Sequence, residues 1–321
     1  DCVTFYLQKV IPMKLQNLFR DSGAMNVICD YGAYVVAVLM AKSDLQAALD
    51  FWNIGKQLQI FQYGSTNEHI LEVFQPLDSS IYHRKDNKNN VITYKQSYKN
   101  QYDTLVFVHG GAWGCGRPWH YRLVANGLGL LLGVKTVILI GYPTYPTSTI
   151  LMQRDYITQA MQYINTNITL KTLLNNNHYN KNHSIILAGH SSGANICALS
   201  LLDTITTDNF TDTKQLSSQN SLNIKTFIGL CGPYDIGRHY LFETNRGVHI
   251  ISPMCAAAGG RKCFSMCSPT RESSPTPAGI LGMPNMILLH GKKDMVVPYS
   301  SSEELASTLR EINLQVELLS V

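Results

Sequence analysis

Charge is scarce in this chain. Only 15% of its 321 residues are Asp, Glu, Lys or Arg, and the formal net charge is +4. A balance that weak does not build an electrostatic nucleic-acid surface. The most basic stretch, His83 to Lys99, is diluted with Asn, Tyr and Gln and has no aromatic–basic repeat. It reads as a solvated hairpin or loop, so no nucleic-acid partner is expected. Paired cysteines are missing as well. Eight cysteines are scattered along the chain, which excludes a small disulfide-stapled framework. Cys255, Cys263 and Cys267 share one segment, but no Cys-x-x-Cys pair and no adjacent histidine accompany them, so no metal is expected there. There is no nucleotide or flavin motif, hence no expected cofactor. A complete signal-peptide pattern and internal repeats are also lacking. The last absence is the sharpest: all ten histidines precede Asp294.

What is present is apolar and periodic. A 45% hydrophobic content over this length can bury one large α/β core. Residues 1–58 read as helical. Within them, Ala24 to Ala41 is mostly apolar and about one membrane span long, with Asn26 and Asp30 inside it. Two readings stay open: a helix packed on the core, or a membrane span or interfacial anchor. From residue 59 to 321 short apolar runs alternate with helical patterns. The strand candidates are Ile70–Phe74, Thr104–His109, Thr136–Ile140, Ser184–Ala188, Lys225–Leu230, Met286–Leu289 and Gln315–Leu319. Helices are expected over Trp119–Leu132, Thr149–Ile164, Asn195–Leu202 and Ser302–Ile312, the last opening on a Ser301-Ser302-Glu303-Glu304 capping box. The alternation predicts a mostly parallel sheet with helices on both faces. Asn165–His183 and Asp203–Asn223, rich in Asn, Ser and Thr, interrupt it as surface loops.

Three segments carry chemistry. Ile185 to Ala194 is an apolar run that ends in Gly189-His190-Ser191-Ser192-Gly193 and passes into a helical pattern. A bare Gly-x-Ser-x-Gly arises by chance in about one chain in ten of this length. Its strand-to-helix setting is what points to a nucleophile elbow, with Ser191 on a strained turn. Val106 to Trp113 ends another strand in His109-Gly110-Gly111-Ala112, 82 residues before Ser191. The N–H groups of Gly110, Gly111 and Ala112, with that of Ser192, are candidates for an oxyanion hole. Leu289 to Pro298 ends a third strand, and Asp294 follows where the acid of a Ser–Asp–His order belongs. The base is expected beyond Val321, in a C-terminal segment that follows the last strand. Trp113, Tyr142 and Tyr234 are candidate pocket walls.

From about Tyr63 onward the chain resembles the α/β-hydrolase superfamily, with a C-terminal end expected to be truncated. Among its branches it is most similar to isoprenylcysteine methylesterases and their carboxylesterase and kynurenine formamidase relatives. The supporting residues are His109–Trp113, Gly141-Tyr142-Pro143, Gly189–Ala194, Cys231–Ile236 and the loop His239 to Met254. The resemblance implies a catalytic domain over 59–321 that hydrolyses a carboxylic ester, on a small molecule or on a prenylated cysteine, through an acyl-enzyme on Ser191. It further implies an intracellular setting, either endomembrane-associated through residues 24–41 or cytoplasmic. An arylformamidase and an inactive hydrolase fold that only binds are the alternatives. Ser192 departs from the commoner alanine after the nucleophile.

Overall fold

The computed structural model describes residues 45–77, 84–85, 91–92, 102–167, 169–170, 184–207, 223–271 and 283–321. The apolar segment 24–41, most of the basic stretch 83–99 and most of the two polar inserts lie outside them. No helix among the described residues is long and apolar enough to cross a membrane.

Eight strands form one sheet. They are β1 (Gln59–Gln62), β2 (Ile70–Phe74), β3 (Thr104–Val108), β4 (Thr136–Ile140), β5 (Ile185–His190), β6 (Ile224–Leu230), β7 (Asn285–His290) and β8 (Val316–Ser320), in the order β1-β2-β4-β3-β5-β6-β7-β8. β2 runs antiparallel to β1 and β4, and every other neighbouring pair is parallel. The helices are α1 (Leu45–Gln57), α2 (Arg122–Leu132), α3 (Ile150–Thr166), α4 (Ser192–Thr207), α5 (Ile236–Asn245) and α6 (Ser300–Glu311), with several shorter turns between them. Seven of the eight strands fall where apolar runs predict them. β1 does not: Gln-Ile-Phe-Gln is mostly exposed, and it becomes a strand by pairing with β2.

The central strands read as continuous apolar runs because both of their faces are covered. Alternate residues of β3 split between two cores. Val106 and Val108 join Ile157 of α3, Ile196 of α4 and Leu305 of α6, whereas Leu105 and Phe107 join Ile54 of α1 and Ala125 of α2. Each of the Val, Leu, Ile and Phe side chains contributes about 1.5–3 kcal/mol by leaving water. α2, which follows β3, therefore lies on the face opposite α4, which follows β5. Where successive helices part in this way, a crevice opens at the carboxyl ends of the strands.

Three local expectations change. The segment His239 to Met254, expected as a loop, begins inside α5 and goes on through a short helical turn at Val248–Ile250. α4 runs through Thr207, into the segment expected to be a loop. α6 starts at Ser300 without a side-chain cap, so the capping box is absent. Its serines are used elsewhere: Ser301 Oγ accepts from Tyr234 N at 2.8 Å, and Ser302 Oγ pairs with His290 Nδ1 at 2.7 Å. Tertiary partners outcompete the local cap for these hydroxyls.

Candidate active site

The carboxyl ends of β3, β5, β6 and β7 bring together the loop His109–Cys115, Ser191, Cys231 and the loop Gly291–Val297. Ser191 has φ of +52°, the left-handed turn required between β5 and α4. Its N–H donates to Leu230 O on β6 at 2.8 Å, and its carbonyl accepts from Ala194 N and Asn195 N. The turn sits hard against the end of β3. A Cβ on Gly193 would lie 2.4 Å from His109 O and 2.5 Å from Val108 O. A Cβ on Gly110 would lie 3.0 Å from Ser191 Cβ and 2.6 Å from His190 O. Glycine at these two positions is what lets the two loops touch. Ser191 itself is partly exposed and Ser192, the first residue of α4, is buried.

The β3 loop is held in an unusual conformation. Gly111, Ala112 and Trp113 all have positive φ, at 142°, 51° and 60°. Left-handed φ at a non-glycine residue costs about 1–2 kcal/mol, so the surroundings must hold it. Gly111 O accepts from Gly114 N and Cys115 N. Trp113 O accepts from Tyr145 N and from Gln153 Nε2, each at 2.8 Å. Trp113 Nε1 donates to Asn195 Oδ1 at 3.2 Å, and Asn195 Nδ2 donates to Pro233 O and Cys267 O. Asn195 therefore ties the β3 loop, the β6 loop and a distant turn to the start of α4. A single Asn in an otherwise apolar helical run was the available hint of this role.

His109 supports the same loop from below. Its Nδ1 donates to Gly110 O at 3.1 Å, and its ring stacks on Tyr142 at 4.2 Å, while Tyr142 OH donates to His109 O at 2.7 Å. Complete burial pushes the His109 pKa down to about 3, against an opposing bond to Gly110 O and with help from His120 and Arg117. His109 is a neutral buried imidazole at any ordinary pH.

The three expected pocket aromatics turn inward. Trp113 is 1% exposed, Tyr142 3% and Tyr234 0%. All three sit in the core, and Trp113 and Tyr142 direct their polar atoms to Asn195 and His109. They brace the loops from behind; the exposed apolar side chains here are Met295 and Val296, directly after Asp294. Trp113 and Tyr142 satisfy their polar tips there, and all three bury their faces, which favours the core over an open wall.

Asp294 is partly exposed. Its Oδ1 accepts from Val296 N at 2.7 Å and Val297 N at 3.0 Å, and its Oδ2 lies 3.5 Å from His290 Nε2. Burial would raise this carboxyl, but those two N–H groups, His290 and the Cys231 thiol together hold it below the ordinary range. Asp294 is thus an ionised carboxylate with one oxygen committed to the turn. His290, the fully buried last residue of β7, faces the other, and Cys231, at the end of β6 with φ of +50°, lies against the same carboxylate. These three side chains are the group of metal-type donors among the described residues. His190 points elsewhere, with Nδ1 2.9 Å from Tyr121 OH. Among the described residues no imidazole bonds the Ser191 hydroxyl.

A family model for BD-FAE matches residues 91–309. The chain belongs to the BD-FAE family. Among curated proteins, this BD-FAE member is 28% identical over 248 residues to a probable isoprenylcysteine alpha-carbonyl methylesterase of Oryza sativa subsp. japonica, covering 76% of this chain and 56% of that protein. It is 27% identical to the isoprenylcysteine alpha-carbonyl methylesterase ICME of Arabidopsis thaliana, covering 67% of this chain and 48% of that one. The chain thus spans about half the length of the curated relatives it matches. Among solved structures, esterase B from Lactobacillus rhamnosis superposes with a TM-score of 0.58 at 13% identity, covering 90% of this chain and 84% of that one. Carboxyl esterase 2 from Tuber melanosporum gives 0.57 at 13% identity, over 82% and 75%. The BD-FAE member shares their α/β-hydrolase fold, as its motifs lead one to expect.

Proposed function

We propose that this protein is a serine carboxylic ester hydrolase, and that its substrates resemble isoprenylcysteine methyl esters. The observation that carries the reading is the contact between the Ser191 turn and Gly110, which brings a strained serine against a loop of positive-φ residues. In the proposed reaction the Ser191 hydroxyl attacks the ester carbonyl. Its proton passes to an imidazole held by Asp294 Oδ2. The N–H groups of Gly110, Gly111, Ala112 and Ser192 are the donors for the tetrahedral oxyanion, and Ser192 adds the positive end of α4. The alcohol departs and water releases the acid from Ser191. Trp113, Tyr142 and Tyr234 act here as braces for the loops.

Substrate class follows from two supports. The curated relatives are named for a prenylated cysteine ester. Met295 and Val296 are 67% and 70% exposed beside Asp294, an apolar rim that suits a lipid-modified substrate. Residues 24–41 would bring the enzyme to the endomembrane where such substrates partition.

The test uses the full-length protein. A fluorophosphonate should label Ser191 and the Ser191→Ala variant should not label. Hydrolysis of a prenylcysteine methyl ester should exceed hydrolysis of N-formylkynurenine. The reverse preference would make the protein an arylformamidase, and no label at Ser191 would leave a hydrolase fold that only binds.

A further inference from the structure

Three donors of different kinds converge beside Asp294. The Cys231 sulfur, a His290 ring nitrogen and an Asp294 carboxylate oxygen all lie within 4.8 Å of one another. They come from the end of β6, the end of β7 and the loop beyond it, so strand order alone assembles them. Each also has an outer partner. Val296 N and Val297 N hold Asp294 Oδ1, which leaves Oδ2 toward His290 at 3.5 Å. Ser302 Oγ lies 2.7 Å from His290 Nδ1. Gly291 N–H reaches the Cys231 sulfur.

We propose that Cys231, His290 and Asp294 form an inhibitory site for a zinc-like divalent cation, with water as fourth ligand. The inhibition rests on the reading that Asp294 serves ester hydrolysis. A thiolate, an imidazole and a carboxylate are the donor set that zinc prefers. Donors 4.8 Å apart leave a central ion about 2.8 Å from each, and zinc bonds are about 2.0–2.3 Å, so each donor closes by less than about 1 Å. His290 Nε2 currently donates to Val297 O at 2.9 Å. On binding, its proton moves to Nδ1, which then donates to Ser302 Oγ, the outer hydrogen bond usual for a metal-bound imidazole. The Cys231 thiol gives up its proton to solvent. The aqueous cation sheds all but one of its waters as its bonds to sulfur, nitrogen and oxygen form, and the thiol proton is the one proton released per ion. Asp294 Oδ2 is then bound to the cation and no longer available to orient an imidazole.

The site is tested on the full-length protein with Cd²⁺ as probe. One equivalent should give an ultraviolet thiolate-to-cadmium band, and Cys231→Ser should abolish it. Micromolar Zn²⁺ should slow ester hydrolysis at least tenfold, with recovery on adding chelator. Cys231→Ser, measured against its own metal-free rate, should be at least tenfold less sensitive. No band, or a band unchanged in Cys231→Ser, overturns the site. Binding through Cys231 with hydrolysis continuing at the metal-free rate would keep the site and instead remove Asp294 from the reaction.

Discussion

The two halves of the candidate site are built from different materials. On the β3–β5 side it is the backbone that is fixed. Ser191, Ala112 and Trp113 hold positive φ, and buried side chains such as Trp113, Asn195 and Tyr142 lock them from behind. On the β6–β7 side the groups are side chains, Cys231, His290 and Asp294, on a loop whose next residues, Met295 and Val296, are largely exposed. In the reaction we propose, the two halves have different tasks: amides aimed at a developing charge work only if they are already in place, whereas Asp294 acts through the orientation of its side chain.

Substitutions can break this comparison, beginning with the largest effect. Ser191→Ala should lower ester hydrolysis on the order of 10⁶-fold without unfolding the protein, as a steady-state assay and circular dichroism would show. Asp294→Asn should follow at about 10⁴-fold in kcat, with fluorophosphonate labelling slowed but not lost. If the two variants are equally mild, the halves do not share one reaction.

Stability should be as uneven as function. Gly193→Ala forces a Cβ to within 2.5 Å of two carbonyl oxygens of β3 and its loop, and should destabilise by about 3 kcal/mol. A thermal melt should then fall by about 6–12 °C. His109 gives a pH signature for the same half. Its folded pKa of about 3 lies below the unfolded value, so the unfolded chain takes up a proton that the fold refuses. Stability is therefore unaffected by His109 above about pH 7, and falls by about 1.4 kcal/mol per unit on acidification below about 6.5. The fall in stability between pH 7 and 5, read from melts, should be less steep in His109→Gln than in the wild type by about that amount, the lowered His69 and His190 keeping a slope of the same sign in both. The smallest effect belongs to the other half. A Cβ on Gly291 meets nothing within 4 Å, so Gly291→Ala should change stability by no more than about 0.5 kcal/mol. A large loss there would mean that the β7 loop is as tightly built as the β3 loop.

Much of this protein is legible in one dimension. Continuous apolar runs mark β2 to β7 because both sheet faces are covered, and Gly-x-Ser-x-Gly marks a turn whose demands are local. Strand, turn and helix signals act over a few residues, so spacing reports them. Other features needed the packed chain. β1 exists because β2 offers an unpaired edge. Ser301 and Ser302 leave their helix end for Tyr234 and His290. Trp113, Tyr142 and Tyr234 choose the core, and Cys231 comes to rest beside His290 and Asp294, some sixty residues away in sequence. Such meetings depend on which strands lie side by side and on which partner wins a hydroxyl or a ring. Both are set by competition across the whole fold, and short-range pattern carries no record of it.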